Sequence, residues 1–433
     1  MTPSQVLALR PPAASGYRLA WTRERLQDTF WPLPALCLIL GALLAAGTVY
    51  APGLGLKPLL PGGPRVDTGE AASVLGIIAS ATLTFLGVVF TLTLVALQLA
   101  SSQASPRVLR TFIRSGITKL TFGLLLATFA YSVAFLVLAG GRGHEPESRG
   151  LAVAVLLVAA SLLVFLAYVA KTMRLLQVAL VITDVAATTR AAIAKHHPPA
   201  RAYRPVSPPE LGGRQLSIAL PERRRRGAGV LQGVDHFRLV RLAQQHGCVL
   251  RLLVRIGEYV PAGAQVVIAY GGAPQPRRVT AGLNLGSSRT LYQDPAYGLR
   301  QLADIAIQAL SPAVNQPTTA VQVIDRLEDL MLRIARRPLR TGYYADPAGQ
   351  VRFVEPAMSW DDFLDLAFSE ITSYGAGSAQ VVRRLLAAYA VLEQGVPVGL
   401  RPAVQARREQ LLQQAADQGA PSALARPDAL GLG

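Results

Sequence analysis

The segment from residue 71 to residue 100 reads AASVLGIIASATLTFLGVVFTLTLVALQLA and contains no charged side chain. About 20 apolar residues are enough for a helix to span the hydrocarbon core of a bilayer. A helix of about 30 residues is about 45 Å long, so this segment has to tilt or extend beyond the bilayer. Three further uncharged segments, 31–50, 120–139 and 151–170, each have the length of one span. The sequence therefore predicts four membrane-spanning helices.

The overall composition supports a membrane protein. Of the 433 residues, 51% are apolar and only 16% are charged, whereas soluble domains contain about 25% charged residues. This composition argues against a simple soluble enzyme. The two cysteines, Cys37 and Cys248, lie far apart in different contexts, which argues against a disulfide framework.

The predicted fold class is an α-helical integral membrane domain of four transmembrane helices, followed by a cytoplasmic α+β domain with a small β-module and a helical C-terminal part. The predicted boundaries are a cytoplasmic leader (1–30), a four-helix transmembrane domain with a stalk (31–195), a linker (196–228), the α+β domain (229–400), and a C-terminal helix with a disordered tail (401–433).

Basic residues in the short loops predict the orientation, because Lys and Arg are enriched on the cytoplasmic side. The leader and the loop after the second segment carry Arg and Lys in excess, whereas the other two loops carry balanced charges. We therefore expect both termini and the large C-terminal half in the cytoplasm. The formal net charge of +17 is expected to face anionic lipid rather than nucleic acid.

Three arginines after the second segment, Arg107, Arg110 and Arg114, have helical spacing. On a short interfacial helix they would contact lipid headgroup phosphates. The alternative is that they act only as a topology signal.

The second segment carries a stripe of small and polar residues at helical spacing. We name it the polar stripe, and it comprises Ser73, Gly76, Ser80, Thr84, Gly87, Thr91 and Gln98. Small residues and hydroxyls allow helices to pack closely, but the same face could also line the pore of a homo-oligomer. The absence of charge within the four segments argues against a proton-coupled transporter.

The C-terminal half has weaker signals. Residues 249–269 predict two strands around a Gly257–Gly263 turn like that of small biotinyl-type domains, but no lysine at the turn could carry a cofactor. His196 and His197 precede two prolines, which favours a solvated loop over a metal site. We therefore predict no metal and no cofactor.

Polar residues around two further predicted helices form a candidate ligand corner. Its members are Arg289, Gln293, Asp294, Ser311, Asn315 and Thr318. No nucleophile with a paired base and no phosphate-binding loop accompany them, so no catalytic residue is assigned. The alternative is a helix-turn-helix corner whose caps satisfy backbone groups.

The arrangement resembles a bacterial family of membrane proteins, domain of unknown function 2254, up to about residue 395. The resemblance rests on the four spans, Ser105-Pro106-Arg107, the glycine-to-Asp235 entry at 229–235, Gln293-Asp294, and 310–315. Gln316 stands where the family usually has an acidic residue. The resemblance implies a multi-pass protein of the bacterial inner membrane, but no established activity.

Two functions follow as hypotheses. One is an oligomeric channel or pore lined by the second segment, with a cytoplasmic gating or assembly domain. The other is a membrane-anchored sensor or scaffold with a ligand corner around Asp294 and Asn315.

Overall fold

The structure is a computed structural model that describes residues 6–9, 11, 29–50, 68–103, 115–140, 148–175, 177–209, 211–222, 228–339 and 342–418. The chain divides into two compact units. The membrane unit lies within Trp21–Gln177, and the α/β unit combines Met1–Ala20 with Val178–Gly433.

The membrane unit contains four long helices, α1 (Pro32–Tyr50), α2 (Thr68–Gln103), α3 (Gly116–Gly140) and α4 (Ser148–Leu175). All four are long and apolar enough to cross a membrane, which confirms the predicted apolar helices. Helix α3 packs against the other three. A Cβ on Gly41 would overlap the backbone of Ala127, so glycine is what allows α1 and α3 to approach closely.

Hydroxyl groups connect helices inside the membrane unit. The oxygens of Thr93 and Tyr168 lie 2.6 Å apart, and Tyr131 donates to the carbonyl of Gly150 at 3.0 Å. In hydrocarbon no water can satisfy these groups, so they bond to one another. These contacts fix α2 and α3 against α4.

The α/β unit contains two sheets built from ten strands in its described residues. They are β1 (Val6–Leu9), β2 (Arg204–Val206), β3 (Gln215–Ala219), β4 (Gly229–Val234), β5 (Val249–Leu252), β6 (Tyr259–Val260), β7 (Gln265–Tyr270), β8 (Leu283–Gly286), β9 (Tyr343–Ala345) and β10 (Val351–Val354). The larger sheet has the order β2-β1-β9-β10-β5-β7-β3, and the smaller has the order β6-β4-β8. Most neighbouring strands are antiparallel, but β1 runs parallel to β9 and β10 runs parallel to β5.

Helices cover these sheets and extend beyond them. They are α5 (Val178–His196), α6 (His236–Gln245), α7 (Pro276–Thr280), α8 (Pro295–Leu310), α9 (Pro317–Ala335), α10 (Trp360–Leu364), α11 (Glu370–Gly375), α12 (Ala379–Gly395) and α13 (Arg401–Asp417). A π-helical turn at Asp365–Ser369 separates α10 from α11. Helix α6 buries Leu239 and Val240 against Leu250 of β5 and Phe353 of β10, which forms the main core of the unit.

The domain boundaries in the structure differ from the predicted ones. Helix α5, which the sequence assigned to a stalk of the membrane domain, belongs to the α/β unit. It packs there on α8 and α9 through a buried face that includes Ile182, Val185 and Thr189. The predicted linker supplies β2 and β3, and the predicted leader supplies β1. Residues 419–433 of the predicted tail lie outside the described residues.

The predicted β-module is not a separate module. Strands β5 and β7 pair with each other inside the seven-stranded sheet, whereas β6 pairs with β4 in the smaller sheet. The Gly257–Gly263 segment therefore connects two sheets. Short alternating strands specify which side chains are buried, but they do not specify which distant strand becomes the neighbour.

Candidate functional site

A cavity of about 280 Å³ lies within the α/β unit, and we call it the central cavity. Three helices reach the central cavity with one end each. Helix α5 ends there at His196, whereas α6 and α8 begin there at His236 and Pro295. Its apolar wall includes Leu252, Val254, Ile256, Phe363 and Leu366. Its polar wall includes His196, His197, His236, Arg289, Asp294 and Glu355.

Asp294 and Arg289 form an ion pair at the start of α8. One oxygen of Asp294 accepts from the backbone N–H of Tyr297 at 3.1 Å, which caps the helix. Its other oxygen accepts from Arg289 Nε at 2.9 Å and Nη2 at 2.8 Å. Burial raises the pKa of Asp294 above its ordinary value, and Arg289 opposes that effect.

Gly257 lies directly against this ion pair. Its φ is +94°, and a Cβ there would lie 2.5 Å from Asp294 Oδ2 and 2.7 Å from Arg289 Nε. A side chain at position 257 would strain this left-handed backbone conformation, and it would also overlap the side-chain atoms of Asp294 and Arg289. Gly257 therefore lets the backbone form part of the cavity wall directly beside the ion pair.

His236 and Tyr344 form a second polar cluster around Glu355, the residue that follows β10. His236 Nε2 lies 2.9 Å from Glu355 Oε2, and the hydroxyl of Tyr344 donates to Oε1 at 2.9 Å. The rings of His236 and Tyr344 stack with centroids 4.0 Å apart. Burial and the neighbouring carboxylate raise the pKa of Tyr344 well above its ordinary value, so this phenol is a hydrogen-bond donor at neutral pH.

His196 is the last residue of α5 and His197 follows it directly. Their rings are largely buried and not in a solvated loop, so that prediction is wrong. Burial lowers the pKa of His196 to about 3, and it also lowers the pKa of His197. Both rings are therefore neutral at physiological pH. Buried His196 Nε2 and His197 Nδ1 have no hydrogen-bond partner among the described residues. The prolines after these residues suggested a loop, but the helix continues to His196 before them.

Gln293 has a local structural role beside the cavity. Its side-chain oxygen accepts from the N–H of Val234 at 2.7 Å, and its amide donates to the carbonyl of Val234 at 3.1 Å. This pair ties the end of β4 to the segment before α8.

The other members of the predicted corner lie at the opposite end of α8. Helix α8 has 16 residues, so its ends are about 24 Å apart. Ser311 is the C-cap of α8, and Thr318 lies inside the first turn of α9, whose N-cap is Gln316. Asn315 has φ +48°, a left-handed conformation that asparagine tolerates better than most residues. Asp294 and Asn315 therefore do not share a site.

The polar stripe is exposed over its whole length, since every one of its seven residues is exposed in the single chain. The buried positions of α2 lie on another face and include Leu75, Thr82 and Val89. Thr84 donates to the carbonyl of Ser80 at 3.0 Å, and Thr91 donates to that of Gly87 at 3.0 Å. Packing within one chain therefore does not account for the stripe.

The predicted lipid site and the question of a metal site remain to be placed. Arg107, Arg110 and Arg114 lie outside the described residues. Among the residues that are described, no three His, Cys, Asp or Glu side chains are arranged to hold a metal ion.

The central cavity combines residues that the sequence analysis named with residues that it missed. Arg289, Gln293 and Asp294 were predicted, whereas the three histidines and Glu355 were not. The segment around Gly257 carried one usable signal, because an obligatory glycine beside polar residues often marks a close backbone approach. Nothing in the local sequence links Glu355 to His236, which is 119 residues away.

Comparison with known proteins places the chain in a family. A family model described as a predicted membrane protein, DUF2254, matches residues 27–391. Uncharacterized proteins of Mycobacterium bovis and Mycobacterium tuberculosis are each 32% identical over 404 residues, which cover 88% of this chain and 75% of each relative. No solved structure matches the chain. The chain belongs to the DUF2254 family of predicted membrane proteins.

Proposed function

We propose that the protein is a membrane-anchored sensor whose α/β unit binds a small polar molecule in the central cavity. The observation that carries this proposal is the cavity itself, which joins an apolar wall to the Arg289–Asp294 and His236–Glu355 pairs. Binding sites for small molecules typically combine an apolar lining with a few well-placed polar groups. The proposal assigns no catalytic step to these residues.

A π-helical turn supports a binding role for this region. The turn at Asp365–Ser369 carries Leu366 on the cavity wall. Isolated π-helical turns occur frequently at functional sites. A local change between π and α geometry there would move Leu366, and would connect occupancy of the cavity to α11.

A thermal-shift screen tests the proposal. We would screen the full-length protein in lipid nanodiscs against a chemically diverse metabolite library, together with the variants Ala357→Trp and Ala348→Trp. Ala357 is exposed and lines the cavity, whereas Ala348 is exposed on the turn between β9 and β10 and does not line it. A compound that stabilises the wild type and Ala348→Trp, but not Ala357→Trp, is the expected result. A screen in which no compound stabilises the wild type would overturn the proposal.

We propose a homo-oligomeric pore as a second candidate, on the basis of the exposed polar stripe. Small residues and hydroxyls on one helix face favour close contact between helices, and this face is exposed in the single chain, where it could meet another copy or pore water. Mass photometry in nanodiscs tests for a ring-compatible oligomer, followed by conductance recording of that oligomer. A monomer, or conductance that Thr84→Leu and Thr91→Leu leave unchanged, would exclude this pore.

The proposal extends to the location and orientation of the chain. The chain is a multi-pass membrane protein by its family and its four apolar helices. We propose the bacterial inner membrane, both termini in the cytoplasm, and contact of the basic loops with anionic lipid. Reporter fusions at residue 433 and in the segment between α1 and α2 should report opposite sides of the membrane.

A further inference from the structure

The size of the central cavity limits its ligand to a small molecule. Sites for small molecules and cofactors typically have volumes of about 300–1,000 Å³, so a cavity of about 280 Å³ is at the lower end. A compound of amino-acid size suits a cavity of this volume.

The polar wall carries charges of both signs: two largely buried pairs, and the more exposed Arg255 and Glu258. In the Arg289–Asp294 pair, the guanidinium side chain is 29% exposed and the carboxylate side chain is 5% exposed. In the His236–Glu355 pair the order is reversed, because Glu355 is 15% exposed and His236 is 10% exposed. A ligand in the cavity would therefore meet a guanidinium from one pair and a carboxylate from the other.

Ligands with a single charge fit this wall poorly. An anion at Arg289 would share the cavity with the carboxylates of Glu355 and Glu258, and a cation at Glu355 would share it with the guanidinium groups of Arg289 and Arg255. The neutral imidazoles of His196 and His197 add no charge that would change this balance. Unpaired charges brought out of water are costly, so a ligand that carries both charges fits better than a ligand that carries one.

The opposite wall selects the remainder of the ligand. Leu252, Ile256 and Phe363 line it, and they would contact an apolar group. We infer that the central cavity binds a zwitterionic α-amino acid with an apolar side chain, its carboxylate at Arg289 and its ammonium at Glu355. This inference rests on the proposed sensor function and specifies its ligand.

Three compounds of matched shape test the inference. L-leucine carries both charges, 3-methylbutylamine lacks the carboxylate, and 4-methylpentanoate lacks the ammonium. Titration calorimetry on the full-length protein in nanodiscs should give an affinity for L-leucine about tenfold higher than for either analogue, since each analogue loses one charge-assisted contact.

Conservative variants assign the two contacts. Glu355→Gln removes the negative charge and should lower the affinity for L-leucine about tenfold. The same substitution should raise the affinity for 4-methylpentanoate, because the carboxylate that repels this anion is gone. Arg289→Lys keeps a positive charge beside Asp294 but loses the planar fork that matches a carboxylate. It should therefore lower the affinity for L-leucine more than the affinity for 3-methylbutylamine. Arg251→Gln, at an exposed residue of β5 that does not line the cavity, is the matched control and should change nothing.

The outcomes separate this inference from the proposed function. An analogue that binds as tightly as L-leucine would overturn the zwitterion while leaving a ligand site in place. If none of the three binds, but a library compound stabilises the protein in a manner that Ala357→Trp abolishes, the ligand class is wrong and the sensor function stands. If no compound binds at all, both fail. Because the comparison of the three compounds uses the wild type, it remains decisive even if a variant does not fold.

Discussion

Acid should destabilise the α/β unit through His196. This ring is neutral in the folded protein down to a pH of about 3, because burial lowers its pKa from the ordinary value of 6.5. Between these two pH values the unfolded chain binds a proton that the folded chain does not. The free energy of unfolding therefore decreases as the pH falls from 6.5 toward 3.

The size of this effect follows from the two pKa values. One pKa unit corresponds to about 1.4 kcal/mol, so lowering the pH from 7.5 to 5.0 should cost about 2 kcal/mol through His196 alone. The pKa of His197 is lowered for the same reason, and its contribution has the same sign. For a unit of this size, about 2 kcal/mol corresponds to a decrease in melting temperature of about 4–8 °C.

Tryptophan fluorescence provides the assay. Trp360 is 4% exposed and donates to the carbonyl of Leu400 at 3.2 Å, so its emission reports on the α/β unit once Trp21 and Trp31 are replaced by Phe. In that background His196→Asn should remove about 2 kcal/mol of the acid sensitivity. His246→Asn, at an exposed position after α6, is the control. The same loss of stability between pH 7.5 and 5.0 in His196→Asn and in its parent would refute the reasoning.

Three further substitutions test individual contacts. Gly257→Ala forces a Cβ against Asp294 in a left-handed conformation and should cost about 1–3 kcal/mol, measured by Trp360 fluorescence, whereas no loss would mean that the turn relaxes freely. Asn315→Val should cost about 1–2 kcal/mol because φ is +48°, and Asn315→Gly should be nearly neutral; equal losses would point to the side chain instead of the backbone. Tyr168→Phe removes the hydroxyl next to Thr93 and should lower the stability of the membrane unit by about 1 kcal/mol in a detergent unfolding assay, and an unchanged midpoint would show that the contact contributes nothing.

The features that the sequence predicted well are those set by a single segment of chain. The length of an uncharged apolar run alone decides whether it can span a bilayer, and each of the four predicted segments coincides with a long apolar helix to within a few residues. The prolines at 295 and 317 occupy the first turn of α8 and α9, where the missing N–H has no cost. Asp294 caps α8 for an equally local reason, because its carboxylate reaches a free N–H three residues later.

The features that it missed depend on segments that are distant in the chain. Strand β1 joins the sheet beside β9, more than 300 residues away, and four residues of a leader carry no signal of that pairing. The prediction grouped Ser311, Asn315 and Thr318 with Asp294 although a predicted helix stands between them in the sequence. Helix α8 has 16 residues, so Asp294 lies at its N-terminal end and the other three residues lie at or beyond its C-terminal end.

The histidines show why the site itself was harder to predict than the fold. In the sequence, His196 and His197 stand beside prolines and lack acidic neighbours, which favours a solvated loop. In the structure, α8 and α9 pack on α5 and place these rings beside the residues around Asp294 and Glu355. Their neutrality at physiological pH comes from that burial and not from any property of the two residues. The chemistry of the cavity therefore depends on the packing of α5, which is the segment that the sequence assigned to a stalk.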